Sequence, residues 1–219
     1  MSAAESTSAR FLVVLDVDST LIHDEVIELL AEHAGAGELV AGITERAMRG
    51  ELDFEQSLRE RVATLRGLSE DVFTDVARRI RVTDGVPELV EAVHAAGGLV
   101  GVVSGGFHEL VDGLAERLGL DRWRANRLEV VDGILTGAVD GPVVDAAAKE
   151  AALTEWAKDA GVPATRTVAI GDGANDLRMM AAAALSVAFC AKPAVRAAAN
   201  VAVDSRDLSQ VLPLLGLRG

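Results

Sequence analysis

The stretch Phe11-Leu-Val-Val-Leu-Asp16-Val-Asp18-Ser-Thr20 decides the fold. Five aliphatic or aromatic residues without a polar break describe a strand buried on both faces of a parallel sheet, and Asp16 closes it at its carboxyl end. The next run of this kind, Leu99-Val-Gly-Val-Val103, comes much later. Between them, apolar residues recur at helical spacing (Val26, Ile27, Leu29, Leu30, then Phe54, Leu58, Val62, Leu65), divided by Gly35, Gly37, Gly50 and Gly67. A crossover between parallel strands needs only about a dozen residues or more. The excess predicts a helical cap over residues 25–80, inserted into a core formed by 11–24 and 81–219.

Beyond Asp84 the alternation is regular. Helices are expected over 87–96, 108–118, 146–160 and 177–184, and strands over 99–103, 167–170, 185–189 and 201–203. A β-hairpin is expected from 127–131 and 134–139 around Asp132-Gly133. This pattern predicts an α/β, Rossmann-like, mostly parallel sheet between helices, with the inserted helical cap and a small hairpin.

Composition narrows the partners. The chain of 219 residues carries 21 Lys+Arg against 34 Asp+Glu, a formal net charge of −13, with no basic run. Such a surface repels nucleic-acid backbones and anionic lipid headgroups, which predicts no nucleic-acid and no membrane partner. Half the residues are hydrophobic, enough for a proper core, while aromatics are only 3%, too few for a base-stacking platform. The single cysteine, Cys190, excludes an internal disulfide and points to a reducing compartment. Residues 1–10 read as a flexible start without the apolar core of a signal peptide. The longest apolar stretch, 181–191, is interrupted by Ser186 and falls short of the roughly 20 residues that span a bilayer. The expectation is a cytoplasmic monomer or homodimer.

Ligands of open α/β sheets bind beyond the carboxyl ends of the strands, so the residues just after each apolar run carry the chemical information. These are Asp16 and Asp18, then Ser104-Gly105-Gly106, and finally Gly171-Asp172-Gly-Ala-Asn175-Asp176, with Lys149 at the start of the preceding helix. Taken singly, each has a plain structural reading: Asp-x-Asp as a turn or cap, Ser-Gly-Gly as a strand-to-helix turn, Lys149 as a solvated helix charge. Gly171-x-Gly173 invites a dinucleotide reading, but Asp176 occupies the third glycine position and would repel a pyrophosphate. Together they suit phosphoryl transfer. A carboxylate such as Asp16 can attack phosphorus. Mg²⁺ on Asp16 and Asp172, with the Lys149 ammonium, offsets the negative charge. Ser104 and the N–H groups of Gly105 and Gly106 hold phosphoryl oxygens. Asp18 is placed to protonate a leaving alcohol and then to deprotonate water.

In this order the motifs resemble those of the haloacid-dehalogenase-like phosphatases over almost the whole chain, from Phe11 to about Leu208. The Asp-x-Asp-Ser-Thr and Val-Val-Ser-Gly-Gly-Phe107 forms are similar to the phosphoserine phosphatase branch. The resemblance implies Asp16 as nucleophile, Asp18 as acid/base, and Mg²⁺ on Asp16, Asp172 and the backbone carbonyl of Asp18. It further implies that Asn175 meets phosphate and that Asp176 supports the metal ligands from behind. In the inserted segment it implies that Glu25 meets a substrate ammonium and Arg61 its carboxylate, with Met48 and Phe54 closing over the ligand. That pairing is chemically apt, since a guanidinium fork matches a carboxylate. The expected reaction is hydrolysis of phosphoserine to serine and phosphate, the last step of serine biosynthesis. Alternatives are a phosphotransferase to another hydroxy amino acid, a phosphatase of a different small phosphomonoester, or a non-catalytic phosphoamino-acid-binding module. His23-Asp24 has no assigned role. With ten residues ahead of the first strand, the amino-terminal regulatory domain of some family members, and feedback through it, are not expected.

Overall fold

The computed structural model describes residues 9–218. Of the start expected to be flexible, residues 1–8 lie outside this range. Ala9 donates its N–H to the Ala160 carbonyl, and Arg10 donates to that of Gly97.

Strand β1 (Leu12–Leu15) is buried along its whole length and pairs in parallel with β2 (Leu99–Phe107) on one side and β5 (Thr167–Gly171) on the other. Alternate side chains point to opposite faces of a strand. Val13 and Leu15 therefore join one core with Leu89, Val90 and Val93 of α5 (Val86–Ala95) and Val111 and Leu114 of α6 (His108–Leu118). Leu12 and Val14 join a second with Leu153 and Trp156 of α7 (Ala146–Asp159) and Met179 and Met180 of α8 (Leu177–Ala182). With β3 (Arg122–Val131), β4 (Ile134–Asp140), β6 (Leu185–Phe189) and β7 (Val201–Val203), the sheet has the order β4-β3-β2-β1-β5-β6-β7, and only β3–β4 is antiparallel. The chain builds outward to one side of β1 and then to the other. The reversal leaves a crevice at the carboxyl ends of β1 and β5, where such sheets bind ligands.

Two expectations need correction. The first hairpin strand begins at Arg122 rather than Arg127, because Arg122, Trp123 and Arg124 pair in parallel with Gly101, Val102 and Val103. Edge-side arginines hid this pairing from a reading based on aliphatic runs. Ser104-Gly105-Gly106 is not a strand-to-helix turn: β2 continues to Phe107 and α6 starts at His108.

The segment between β1 and α5 contains α1 (Val26–His33), α2 (Gly37–Met48), α3 (Phe54–Ala63) and α4 (Val72–Arg79). A reciprocal capping box starts α3, with Asp53 and Gln56 exchanging side-chain and backbone hydrogen bonds at 2.8 and 3.1 Å. The two chain passages into and out of this segment are joined. Ile22 and Val82 form an antiparallel bridge, and Asp24 accepts from the Arg81 backbone N–H at 2.8 Å and its guanidinium at 2.7 Å. A third attachment lies at the far end, where the α3–α4 connection meets the β3–β4 hairpin. Gly67 donates to the Leu135 carbonyl, Leu135 to that of Leu68, and Glu70 to that of Gly133. Among the described residues, no helix is long and apolar enough to cross a membrane.

Candidate active site

Asp16 is the first residue past β1, and its N–H still donates to the Ile170 carbonyl of β5, which fixes where its side chain emerges. Its Oδ1 accepts from Lys149 Nζ at 2.5 Å, and the same ammonium donates to Asp176 Oδ1 at 2.8 Å. Lys149 is wholly buried, so the solvated-helix reading of this residue fails. Asp145, whose side chain accepts from the Ala148 N–H, caps α7 and sets Lys149 on the first turn facing β1. Asp176 is equally buried. Its Oδ2 accepts the backbone N–H groups of Asp172 and Gly173 at 3.2 and 3.0 Å. A Cβ at Gly171 would lie 2.5 Å from the Asp176 carboxyl, so only glycine leaves room for this arrangement. Asp172 Oδ1 faces Thr20 Oγ1 at 3.4 Å.

Carboxylate oxygens of Asp16, Asp172 and Asp176 lie within 4.8 Å of one another, with one ammonium among them. Burial, reinforced by the Asp176 charge against the opposing pull of Lys149, pushes the Asp16 carboxyl up to about 8. Burial and Asp176 likewise push Asp172 up to about 6. For Lys149, burial favours the neutral amine, but the two carboxylates outweigh it and hold the ammonium above its ordinary value. The cluster therefore lacks positive charge, and its donors are all hard oxygens, the set that suits a divalent cation. Both oxygens of Asp176 already accept hydrogen bonds, which leaves Asp16 and Asp172 as the carboxylates with coordination capacity to spare.

Asp18 follows in a tight irregular turn and is extended (φ −64°, ψ 133°), whereas Ser19 is left-handed (φ 58°). Asp18 Oδ1 is buried without a hydrogen-bond partner. Burial first, then the charges of Glu25 and Asp16, hold this carboxyl well above the ordinary range. The left-handed turn at Ser19 lets its Oγ donate to Glu25 Oε1 at 2.7 Å. This link between the β1 turn and the start of α1 went unrecognised in the sequence, where Ser19 read only as part of a motif.

The inserted helices complete a cleft of about 520 Å³. Core residues Asp16, Asp18, Gly105, Gly106, Asp172 and Asn175 line it, and so do Glu25, Met48, Phe54 and Arg61 from the insertion. Ser104 lies beneath this lining, its Oγ accepting the Gly106 N–H at 2.8 Å. The Phe54 ring passes 2.9 Å from where a Cβ of Gly105 would stand. Arg61 Nε donates to the Ser57 carbonyl, and its guanidinium forms no ion pair among the described residues. Burial lowers the Arg61 pKa, partly offset by Glu25 and Asp18. Met48, at the end of α2, is 74% exposed beside the cleft. The cleft also takes in Thr44, Leu52 and Lys192, which the sequence reading did not single out. Lys192 follows β6, so the same strand-end rule that found Asp172 would have found it.

The site thus joins a buried ammonium clamped between acids at the strand ends of an α/β sheet to Glu25 and Arg61 of the inserted helices, in one cleft. The haloacid dehalogenase-like hydrolase model matches residues 13–181, and the chain belongs to that family. It is 53% identical over 209 residues to the phosphoserine phosphatase of Streptococcus thermophilus, covering 95% of this chain and 97% of that one. It is 57% identical to the phosphoserine phosphatase of Streptomyces coelicolor, of whose length it spans about half (51%). Among solved structures, a substrate-bound phosphoserine phosphatase complex superposes with TM-score 0.89 at 43% identity, covering 94% of this chain and 98% of that one. A phospho-aspartyl intermediate analogue of phosphoserine phosphatase does so equally, covering 94% and 99%.

Replacing Lys149 by Met removes the cation that pairs with two buried carboxylates, Asp16 and Asp176. Breaking a buried ion cluster from one side costs about 3–5 kcal/mol. The melting temperature should therefore fall sharply at neutral pH and less at acid pH, where protonation relieves the two uncompensated carboxylates. A variant melting with the wild type at neutral pH would contradict this electrostatic account.

Proposed function

We propose that the protein is a Mg²⁺-dependent phosphatase that hydrolyses O-phospho-L-serine to L-serine and phosphate through an aspartyl phosphate on Asp16. It would serve the last step of L-serine biosynthesis in the cytoplasm, as a monomer or homodimer. One observation carries the reading: a single cleft joins the Lys149-held Asp16 carboxylate to the separate charges of Glu25 and Arg61 from the inserted helices. An amino-acid phosphate presents a phosphoryl group to the first and an ammonium and carboxylate to the second.

In this mechanism Lys149 fixes Asp16 Oδ1, leaving the other oxygen to attack phosphorus. A bond forms from Asp16 to phosphorus while the bond to the serine oxygen breaks, and Asp18 passes its proton to that oxygen. Asp18, now ionised, takes a proton from water as the water attacks the aspartyl phosphate. Phosphate leaves and Asp16 is restored. Asp16, Asp172 and the backbone carbonyl of Asp18 would hold Mg²⁺, which when bound would supply positive charge to offset that of the phosphoryl group. Asp176 orients Lys149 and the 172–173 backbone from behind. Ser104, Gly105, Gly106, Lys149 and Asn175 hold the phosphoryl group, and Met48 and Phe54 close the cleft against water. The attachments at Asp24–Arg81 and at the hairpin are the fixed points about which the inserted helices, acting as a cap, would open and close.

Two measurements test this reading. Phosphate release should favour phosphoserine over phosphoethanolamine and sugar phosphates. Arg61→Ala should lower kcat/KM with phosphoserine about a hundredfold more than with phosphoethanolamine, which has no carboxylate to pair. Equal losses on both would exclude a carboxylate-reading role. The metal is tested through pH. With folded values of about 8 for Asp16 and about 6 for Asp172 against 3.8 unperturbed, the metal-free fold binds more protons than the unfolded chain and loses stability as pH climbs from about 4 to 8. A cation requires the ionised forms. The rise in melting temperature on adding Mg²⁺ should therefore be larger near pH 8 than near pH 5.5, and an equal rise at both would count against these ligands.

A further inference from the structure

Between Val103 and Phe107, β2 advances four residues while its parallel neighbour β3 advances two, from Arg124 to Asn126. Ser104-Gly105-Gly106 therefore stand against Ala125 alone, a surplus of two residues that bulges out of the ladder beside the cleft. A bulge frees backbone groups that must then find other partners. The Gly105 carbonyl finds Asn126 Nδ2 at 2.9 Å, and Asn126 Oδ1 accepts the N–H of Val144 at 2.7 Å. Asn126 is 1% exposed, with both halves of its amide engaged. Its orientation is unambiguous, since one partner only accepts and the other only donates.

The bulge needs such a lock. Both its last residues are glycines for want of space: Phe54 crowds the Cβ position of Gly105, and Ser104 Oγ and Asp18 Oδ2, at 3.0 and 3.4 Å, crowd that of Gly106. Consecutive glycines have the widest backbone freedom, so the peptide between them is the one most able to rotate. The Gly105 carbonyl and the Gly106 N–H belong to that same peptide unit. By holding the carbonyl, Asn126 aims the N–H, which donates to Ser104 Oγ at 2.8 Å. Through Val144 it also ties the bulge to the segment that leads into α7 and Lys149.

We infer that Asn126 is a positioning residue for phosphoryl transfer, fixing the Gly105–Gly106 peptide and Ser104 Oγ in the attitude that receives the phosphoryl oxygens. The inference rests on the phosphoryl-transfer reading of this cleft. A buried side-chain bracket hydrogen-bonded at both ends sets geometry that the ladder itself no longer dictates.

Asn126→Asp tests it. The substitution keeps the shape and the acceptor for Val144 but sets an oxygen against the Gly105 carbonyl. Kinetics are measured well below the melting transition on phosphoserine and on p-nitrophenyl phosphate, with inorganic phosphate binding followed by calorimetry. Loss of a direct oxyanion donor typically costs about a hundred- to a thousandfold in kcat. Misorienting the donors should therefore lower kcat about ten- to a hundredfold on both esters while KM stays within about threefold, and weaken phosphate binding. A purely structural role would lower the melting temperature and leave kcat of the folded variant intact, and that result overturns the inference. Should Asn126→Asp not fold, Asn126→Ser, which leaves room for a water, carries the same comparison. If wild-type protein hydrolyses p-nitrophenyl phosphate but not phosphoserine, the substrate assignment fails while the comparison on the synthetic ester still decides the role of Asn126.

Discussion

Lys149 Nζ sits between Asp16 and Asp176 with no access to water, and the cleft is arranged around that contact. An ammonium and two carboxylates out of water cost several kcal/mol each in lost hydration, so the cluster persists only where every partner is fixed. Each is. Asp16 is held by the β1–β5 ladder, Asp176 by the two amides of the turn after β5, and Lys149 by the capped start of α7. Even so, the charges do not balance. The raised carboxyls of Asp16 and Asp172 reflect burial and the gathering of three carboxylates around one buried ammonium.

The inserted helices meet this fixed centre through few attachments. Paired passages at Ile22–Val82 and Asp24–Arg81 tie one end, and backbone hydrogen bonds between residues 67–70 and the β3–β4 hairpin tie the other. Asp24, which had no role in the sequence, belongs to this joinery. Glu25 and Arg61 lie inside these attachments and line the same cleft as Asp18, so the insertion and the sheet edge each contribute charged groups to it.

Much of this was legible in the sequence because strand ends in parallel sheets are chemically conspicuous. Phe11–Leu15 followed by Asp16, and Thr167–Ile170 followed by Gly171-Asp172, pair hydrophobic runs with residues that a core would not tolerate. Patterns failed where the backbone departs from them. The true extent of β3 was masked by arginines on a half-exposed strand, and the bulge at 104–106 looked like a turn because glycines serve both. Asn126 carries no local signal at all, since its partners, Gly105 and Val144, are distant in sequence and become neighbours only when β2, β3 and the approach to α7 assemble.

The central claim is that Asp16 accepts the phosphoryl group. Phosphoserine labelled in its phosphoryl group, mixed with enzyme and Mg²⁺ and quenched in acid within a turnover, tests it most directly. The account predicts an acid-stable, base-labile label confined to the peptide that contains Asp16. Turnover with no trapped label, or a label on any other residue, would contradict it.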